Sequence, residues 1–256
     1  MTDPANLLLT FTESYAGAGT VAIESALRHA PSQTSVTVGT ADLSEPSARR
    51  LKRIADRYGI ELTIADVSHL AARFPRIGRY PPLAWTRTLA LQILPAGISR
   101  AVYLDADVIV RSGIGSLWAM DLQTKGLAAV QDSSTPTHGE RGFEYVAAAG
   151  SKPTTPYFNT GVMVIDLPAW AALDVGDRVL EIIDQRRLPL EFIDQDALNL
   201  IFLDRWQQME HTWNTPADET TGDPIIVQFL GGPKPWEPSA RGRFVEEYRK
   251  LADVVR

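Results

Sequence analysis

Three short apolar runs of strand length alternate with two helical patterns inside the first 65 residues, and no other feature of the sequence restricts the fold as much. The strands are residues 6–11, 35–38 and 60–64. Residues 15–29 bring Val21, Ala22, Ser25, Ala26 and His29 near one helical face. Residues 44–58 start with Ser44 as N-cap and Pro46 in the first turn, and stop at Gly59 as a natural C-cap. Strands joined through helices run parallel, so the chain opens as an α/β layer on a parallel sheet.

The pattern continues less regularly. A loop at 74–82 holds three prolines, Gly78, Arg76 and Arg79, with Arg73 just before it. A helix over 83–94 leads into a strand at 101–104, and another strand at 127–130 ends at Asp132. Residues 133–156 read as a long surface loop with one helical turn at 143–148. A strand over 162–165, helices over 175–185 and 194–202, a strand at 225–229 and a charged amphipathic helix at 242–254 complete the chain. With no internal repeat and no low-complexity linker, one domain spanning 1–256 is expected.

Composition removes several classes of function. No apolar run approaches the roughly 18 residues of a membrane span, and the first residues lack a basic signal segment. The absence of cysteine excludes disulfides, thiolate metal sites and cysteine nucleophiles. A cytoplasmic protein without a strong membrane signal is expected. Residues 1–100 carry eleven Lys and Arg against eight Asp and Glu, whereas the remainder makes the net charge −6. That distribution disfavours nucleic acid but leaves a local basic pocket for a phosphorylated ligand. His29, His69, His138 and His211 show no ligand spacing, and no P-loop or nucleophile elbow is present. Gly17-Ala18-Gly19-Thr20-Val21-Ala22 imitates a dinucleotide fingerprint, but it lies inside a helical pattern five residues past the strand, where small residues serve close helix contact.

Chemistry concentrates in four places. In Arg100-Ala-Val-Tyr-Leu-Asp-Ala-Asp-Val-Ile-Val, a strand would point Asp105 and Asp107 the same way. Two such acids among apolar residues repel, and a hard divalent cation relieves them; the alternative is a strand end whose acids cap the next turn. Asn159-Thr160-Gly161 reads as a turn, and Asp194-Gln195-Asp196 as either a helix cap or a site. Lys234, stiffened between Pro233 and Pro235, presents one ammonium suited to phosphate.

Together, Tyr-Leu-Asp-Ala-Asp-Val-Ile-Val, Tyr-Phe-Asn-Thr-Gly-Val-Met-Val-Ile-Asp-Leu, Asp-Gln-Asp-Ala-Leu-Asn and Phe-Leu-Gly-Gly-Pro-Lys-Pro-Trp resemble glycosyltransferase family 8 in order and spacing over residues 6–236. The resemblance implies an α/β GT-A fold around one mixed central sheet, with a Rossmann-like nucleotide half (about 1–110) fused to an acceptor half (about 111–256). It implies retaining transfer of a hexose from UDP-glucose or UDP-galactose to a saccharide or small-molecule hydroxyl, with Mn2+ or Mg2+, and it allows a homodimer. Asp105 and Asp107 are the implied metal ligands, and Ala106 lies between them in the nucleotide site. Thr12, Ser14 and Tyr15 match the uridine loop, while Lys234 and Gly231 match the diphosphate loop. Arg87, Asn159, Thr160, Asp194 and Gln195 match positions around the donor sugar, the last two being the catalytic candidates. Asp132 matches an acceptor contact. A front-face route, with the leaving phosphate taking the acceptor proton, needs no enzyme base.

Two departures stand out. Gln228 occupies the place of the family's metal-binding His, which implies weaker metal binding and less preference for Mn2+ over Mg2+. Thr12 replaces the usual acid after the first strand, with Glu13 beside it, which loosens base selectivity. A catalytically silent sugar-nucleotide binder and a nucleotidyltransferase remain as alternatives.

Overall fold

A computed structural model of the chain describes residues 5–78, 80–184, 191–219 and 222–256. Arg79 and Gln185 lie outside the described residues. The chain begins β1 (Ala5–Thr10), α1 (Ala16–Leu27), β2 (Thr34–Thr40), α2 (Glu45–Tyr58) and β3 (Leu62–Asp66). The three strands pair parallel, as the alternation requires. Local chemistry sets the limits of α2: the Ser44 hydroxyl accepts from Ser47 N–H, and Gly59 closes the helix at φ 63. Gly17 and Gly19 do lie within α1. A Cβ on Gly19 would come within 2.4 Å of the Phe11 ring, so that glycine serves contact between helix and sheet.

After α3 (Ser68–Ala71), the predicted helix over 83–94 is instead a 3-10 helix (Pro82–Leu89) followed by one α turn, α4 (Ala90–Ile93). Thr86 and Thr88 hydroxyls bond back to the Leu83 and Trp85 carbonyls three residues earlier, matching the tighter winding. There follow β4 (Arg100–Leu104), β5 (Val108–Val110), α5 (Gly115–Trp118), β6 (Leu127–Gln131), α6 (Phe143–Ala149), β7 (Phe158–Asp166), α7 (Leu167–Ala172), α8 (Val175–Asp184) and α9 (Ile193–Ile201). The chain ends with β8 (Trp206–Met209), β9 (Thr215–Pro216), β10 (Ile226–Gln228) and α10 (Val245–Val254).

Seven strands form a mixed sheet in the order β3-β2-β1-β4-β7-β6-β8, and β5-β10-β9 form a second, small sheet. Alternation along the strands divides the interior in two. Leu7, Leu9, Val102, Leu104 and Val164 face one core with α1 and α10, while Leu8, Ala101, Tyr103, Met163 and Ile165 face the other with α7, α8 and α9. Leu7, Leu8 and Leu9 are fully buried, each worth about 1.5–3 kcal/mol. Helix α1 is buried on nearly every side, which is why it carries no polar stripe. No helix of the described residues is long and apolar enough to cross a membrane.

Candidate active site

The acids Asp105 and Asp107 stand where the large sheet hands the chain to the small one. The expectation that a strand pleat aligns them is not met: β4 ends at Leu104, and a turn carries the chain into β5. They converge because each is tied to the same side chain. Gln228 Nε2 donates to Asp105 Oδ2 (2.8 Å) and, more weakly, to Asp107 Oδ1 (3.4 Å). Each acid also holds its own cation, Arg87 at 2.8 Å from Asp105 and Lys234 at 2.7 Å from Asp107. Tyr103 OH donates to Asp105 Oδ1 and meets Thr10 Oγ1 on its other side, a brace that no sequence motif points to. Burial pushes the Asp105 carboxyl above its usual range, against the pull of Arg87 and with Asp107 adding to it.

Arg87 is the hub. Its guanidinium lies 4.9 Å over the Tyr103 ring, and its Nε is 2.9 Å from Asp194 Oδ2. That second contact is an ion pair by distance only. Its direction misses a hydrogen bond, so both atoms are buried without one. Burial works against the Arg87 charge, yet Asp105 and then Asp194 hold its pKa above the ordinary value. Burial raises Asp194 to about 6, with Arg87 opposing.

Asn159-Thr160-Gly161 is not a turn before a strand but part of β7. The ladder with β6 jumps from Ala129↔Met163 to Val130↔Asn159, so the segment bulges out of the sheet toward the acids. An added Cβ on Gly161 would come within 2.3 Å of Gln228 Nε2, so the missing side chain makes room for Gln228. The two glutamines differ in one respect. Gln195 is fixed at both ends, its Nε2 donating to Asp132 Oδ2 and its Oε1 accepting from Thr160 N–H and Oγ–H. Gln228 is fixed at one end, and its Oε1 is buried with no partner. The Gln195 oxygen, expected to face a developing oxocarbenium ion, is therefore spent on Thr160.

Two cavities meet at these residues. The first, about 730 Å3, is lined by Thr12, Ser14, Tyr15, Arg87, Asp105, Ala106, Asp107, Gln228, Gly231 and Lys234. Every residue expected around the nucleotide and diphosphate is there, joined by Arg76 and Tyr80 from the 74–82 loop. The second, about 790 Å3, is lined by Asp132, Asn159, Thr160, Asp194 and Gln195, and shares Arg87, Asp105, Gln228 and Gly231 with the first. From the long loop, among the described residues, Ser133 and Ser134 alone line it. Farther along, Arg141 binds both oxygens of buried Asp196, which also accept from Tyr157 OH and Phe192 N–H, so Asp196 anchors the loop to α9. Glu13 turns away from the cavity to the start of α2, where Ser44 N–H and the Ser44 and Ser47 hydroxyls donate to it; these bonds lower its pKa, that of Ser44 N–H most. Besides Asp105 and Asp107, the first cavity is lined by Asp42, two residues past the end of β2.

A divalent cation fits this donor set under one condition. Among the described residues no cluster of three or more His, Asp or Glu is arranged to hold a metal. Asp105, Asp107 and the unpartnered Gln228 Oε1 offer three hard oxygens once the amide turns over, which suits a hard cation completed by ligand oxygens.

The sequence matches the model of glycosyl transferase family 8 over residues 6–240. It is 31% identical over 171 residues to general stress protein A of Bacillus subtilis, covering 59% of this chain and 57% of that protein. It is 28% identical over 202 residues to probable galacturonosyltransferase-like 2 of Arabidopsis thaliana, covering 70% and 59%. The chain thus matches less than two thirds of the length of these relatives. Among solved structures it is similar to galactosyltransferase LgtC in complex with donor and acceptor sugar analogs, with TM-score 0.84, 24% identity, and 97% of this chain and 95% of that one covered.

Proposed function

The chain belongs to glycosyltransferase family 8 and has a GT-A fold, and from that premise we propose that it is a retaining hexosyltransferase using UDP-glucose or UDP-galactose. The observation that carries this reading is the junction of the two cavities. Arg87, Asp105, Gln228 and Gly231 line both, so a donor sugar at the junction would have its diphosphate toward Lys234 and its anomeric carbon toward the second cavity.

Breaking a glycosyl–phosphate bond builds negative charge on the diphosphate and positive charge on the sugar. Lys234 is placed for the first; a diphosphate would compete with Asp107 for its ammonium. A divalent cation held by Asp105, Asp107 and Gln228 Oε1 would supply Lewis-acid stabilisation to the leaving diphosphate. Asp194, which lines the second cavity beside Arg87, serves the second charge. Tyr15 and Trp236 meet edge to face at 5.4 Å beside the nucleotide cavity, and Asp42 takes the recognition role that Thr12 cannot. The front-face route, in which the leaving phosphate takes the acceptor proton and no enzyme base is needed, is the mechanism we favour.

The test is UDP release from a panel of nucleotide sugars with Mn2+ or Mg2+, including UDP-galacturonate in view of the plant relative. Release from UDP-glucose or UDP-galactose supports the reading. UDP binding by calorimetry with no turnover of any donor would instead support the silent binder, which the amide-filled acid pair favours; pyrophosphate release from UTP would point to nucleotidyl transfer.

A further inference from the structure

Asp132 lines the second cavity, yet its carboxylate has nothing left to offer a ligand. Oδ1 accepts from Ser134 N–H (2.9 Å), Ser134 Oγ–H (2.7 Å) and Thr135 N–H (2.9 Å). Oδ2 accepts from Asn159 Nδ2 (2.9 Å) and Gln195 Nε2 (3.1 Å). The residue is 4% exposed. A carboxylate has about four lone-pair sites, and five donors already converge on this one. An acceptor hydroxyl would have to displace one of them.

The donors themselves cannot turn. Gln195 must keep its oxygen toward Thr160 N–H, a group that only donates, so its NH2 must face Asp132. Asn159 must keep its oxygen toward Gly161 N–H and Asn214 Nδ2, so its NH2 faces Asp132 too. We propose that Asp132 is a positioning residue: it holds the Gln195 amide, which lines the second cavity, in the one orientation the network permits. This inference rests on the transferase reading for its consequence, not for its geometry.

Asp132→Asn is the test. Two backbone N–H groups require an oxygen at the Oδ1 place, so the new NH2 must take the Oδ2 place and confront two amide NH2 groups that cannot flip. Acceptor-free UDP release is expected to fall about tenfold or more in kcat, with donor KM changed by no more than about threefold. The side-chain NH2 signals of Gln195 and Asn159 in amide NMR spectra should shift together. The double variant Asp132→Asn/Gln195→Glu restores a carboxylate that can accept both from the new amide and from Thr160 N–H, so it should regain part of the thermal stability that the single variant loses. Two results would overturn the proposal: wild-type UDP release by Asp132→Asn with a defect only when acceptor is added, or unmoved Gln195 NH2 signals. Should the wild-type protein release no UDP at all, that failure belongs to the transferase reading, and the NH2 signals decide the positioning role by themselves.

Discussion

Gln228→His puts the departure at the acid pair to a quantitative test. To ligate a cation, the Gln228 amide must turn over and break hydrogen bonds of 2.8 Å and 3.4 Å to two charged acceptors. A charged hydrogen bond is worth about 1.5–3 kcal/mol, so counting the longer one as weak gives a penalty of about 2–4 kcal/mol. At about 1.4 kcal/mol per tenfold, that corresponds to about 30- to 700-fold in cation affinity. Imidazole carries a lone pair that needs no such reversal, and Gly161 leaves the space for its ring. Mn2+ binding to the nucleotide-free protein, read at pH 8 from the free Mn2+ signal in electron paramagnetic resonance, should tighten by about tenfold or more in the variant. Competing Mg2+ should gain less, because imidazole is the softer donor. A variant Kd within about threefold of wild type, or an equal gain for both metals, would refute the reasoning.

Three further outcomes follow from the same geometry. Arg87→Met leaves Asp105 and Asp194 without their shared cation, which should cost about 3–5 kcal/mol in urea unfolding at pH 8 and less at pH 5, where the acids take up protons; equal losses at both pH values would count against it. Asp194 titrates near 6 in the folded protein against an ordinary 3.8, so the folded state binds its proton more tightly and this contribution to stability falls as pH rises from about 4 to 6. Metal-free Asp194→Asn should lack that fall, so the stability difference between wild type and variant should shift as pH rises from about 4 to 6, and a difference that does not change with pH would sink the assignment. Gly161→Ala drives a methyl into Gln228, at a cost of about 1–3 kcal/mol, and should weaken UDP binding measured by calorimetry; unaltered affinity would show that Gln228 can move without consequence.

What could be read from the sequence shares one property: it is local. The Ser44 cap, the Gly59 stop and the alternating apolar faces of β1 and β4 depend on neighbours a few residues away, so the α/β layer could be inferred from the chain alone. The candidate site residues could also be named, because four motifs resemble one family. Their roles could not. Asp105 and Asp107 share a side through a turn and through Gln228, more than 120 residues distant, not through a strand pleat. Asp132 looks in sequence like a strand-end acid free for an acceptor, and only the approach of Asn159 and Gln195 shows it saturated. Glu13 stands beside Thr12 in sequence yet serves the start of α2, while Asp42, in the connection leading into α2, lines the cavity. The sequence determined which groups are present and which segments carry them. The tertiary structure decided which donor meets which acceptor, since a buried polar group takes whatever partner folding brings within about 3 Å, however far away it lies in the chain.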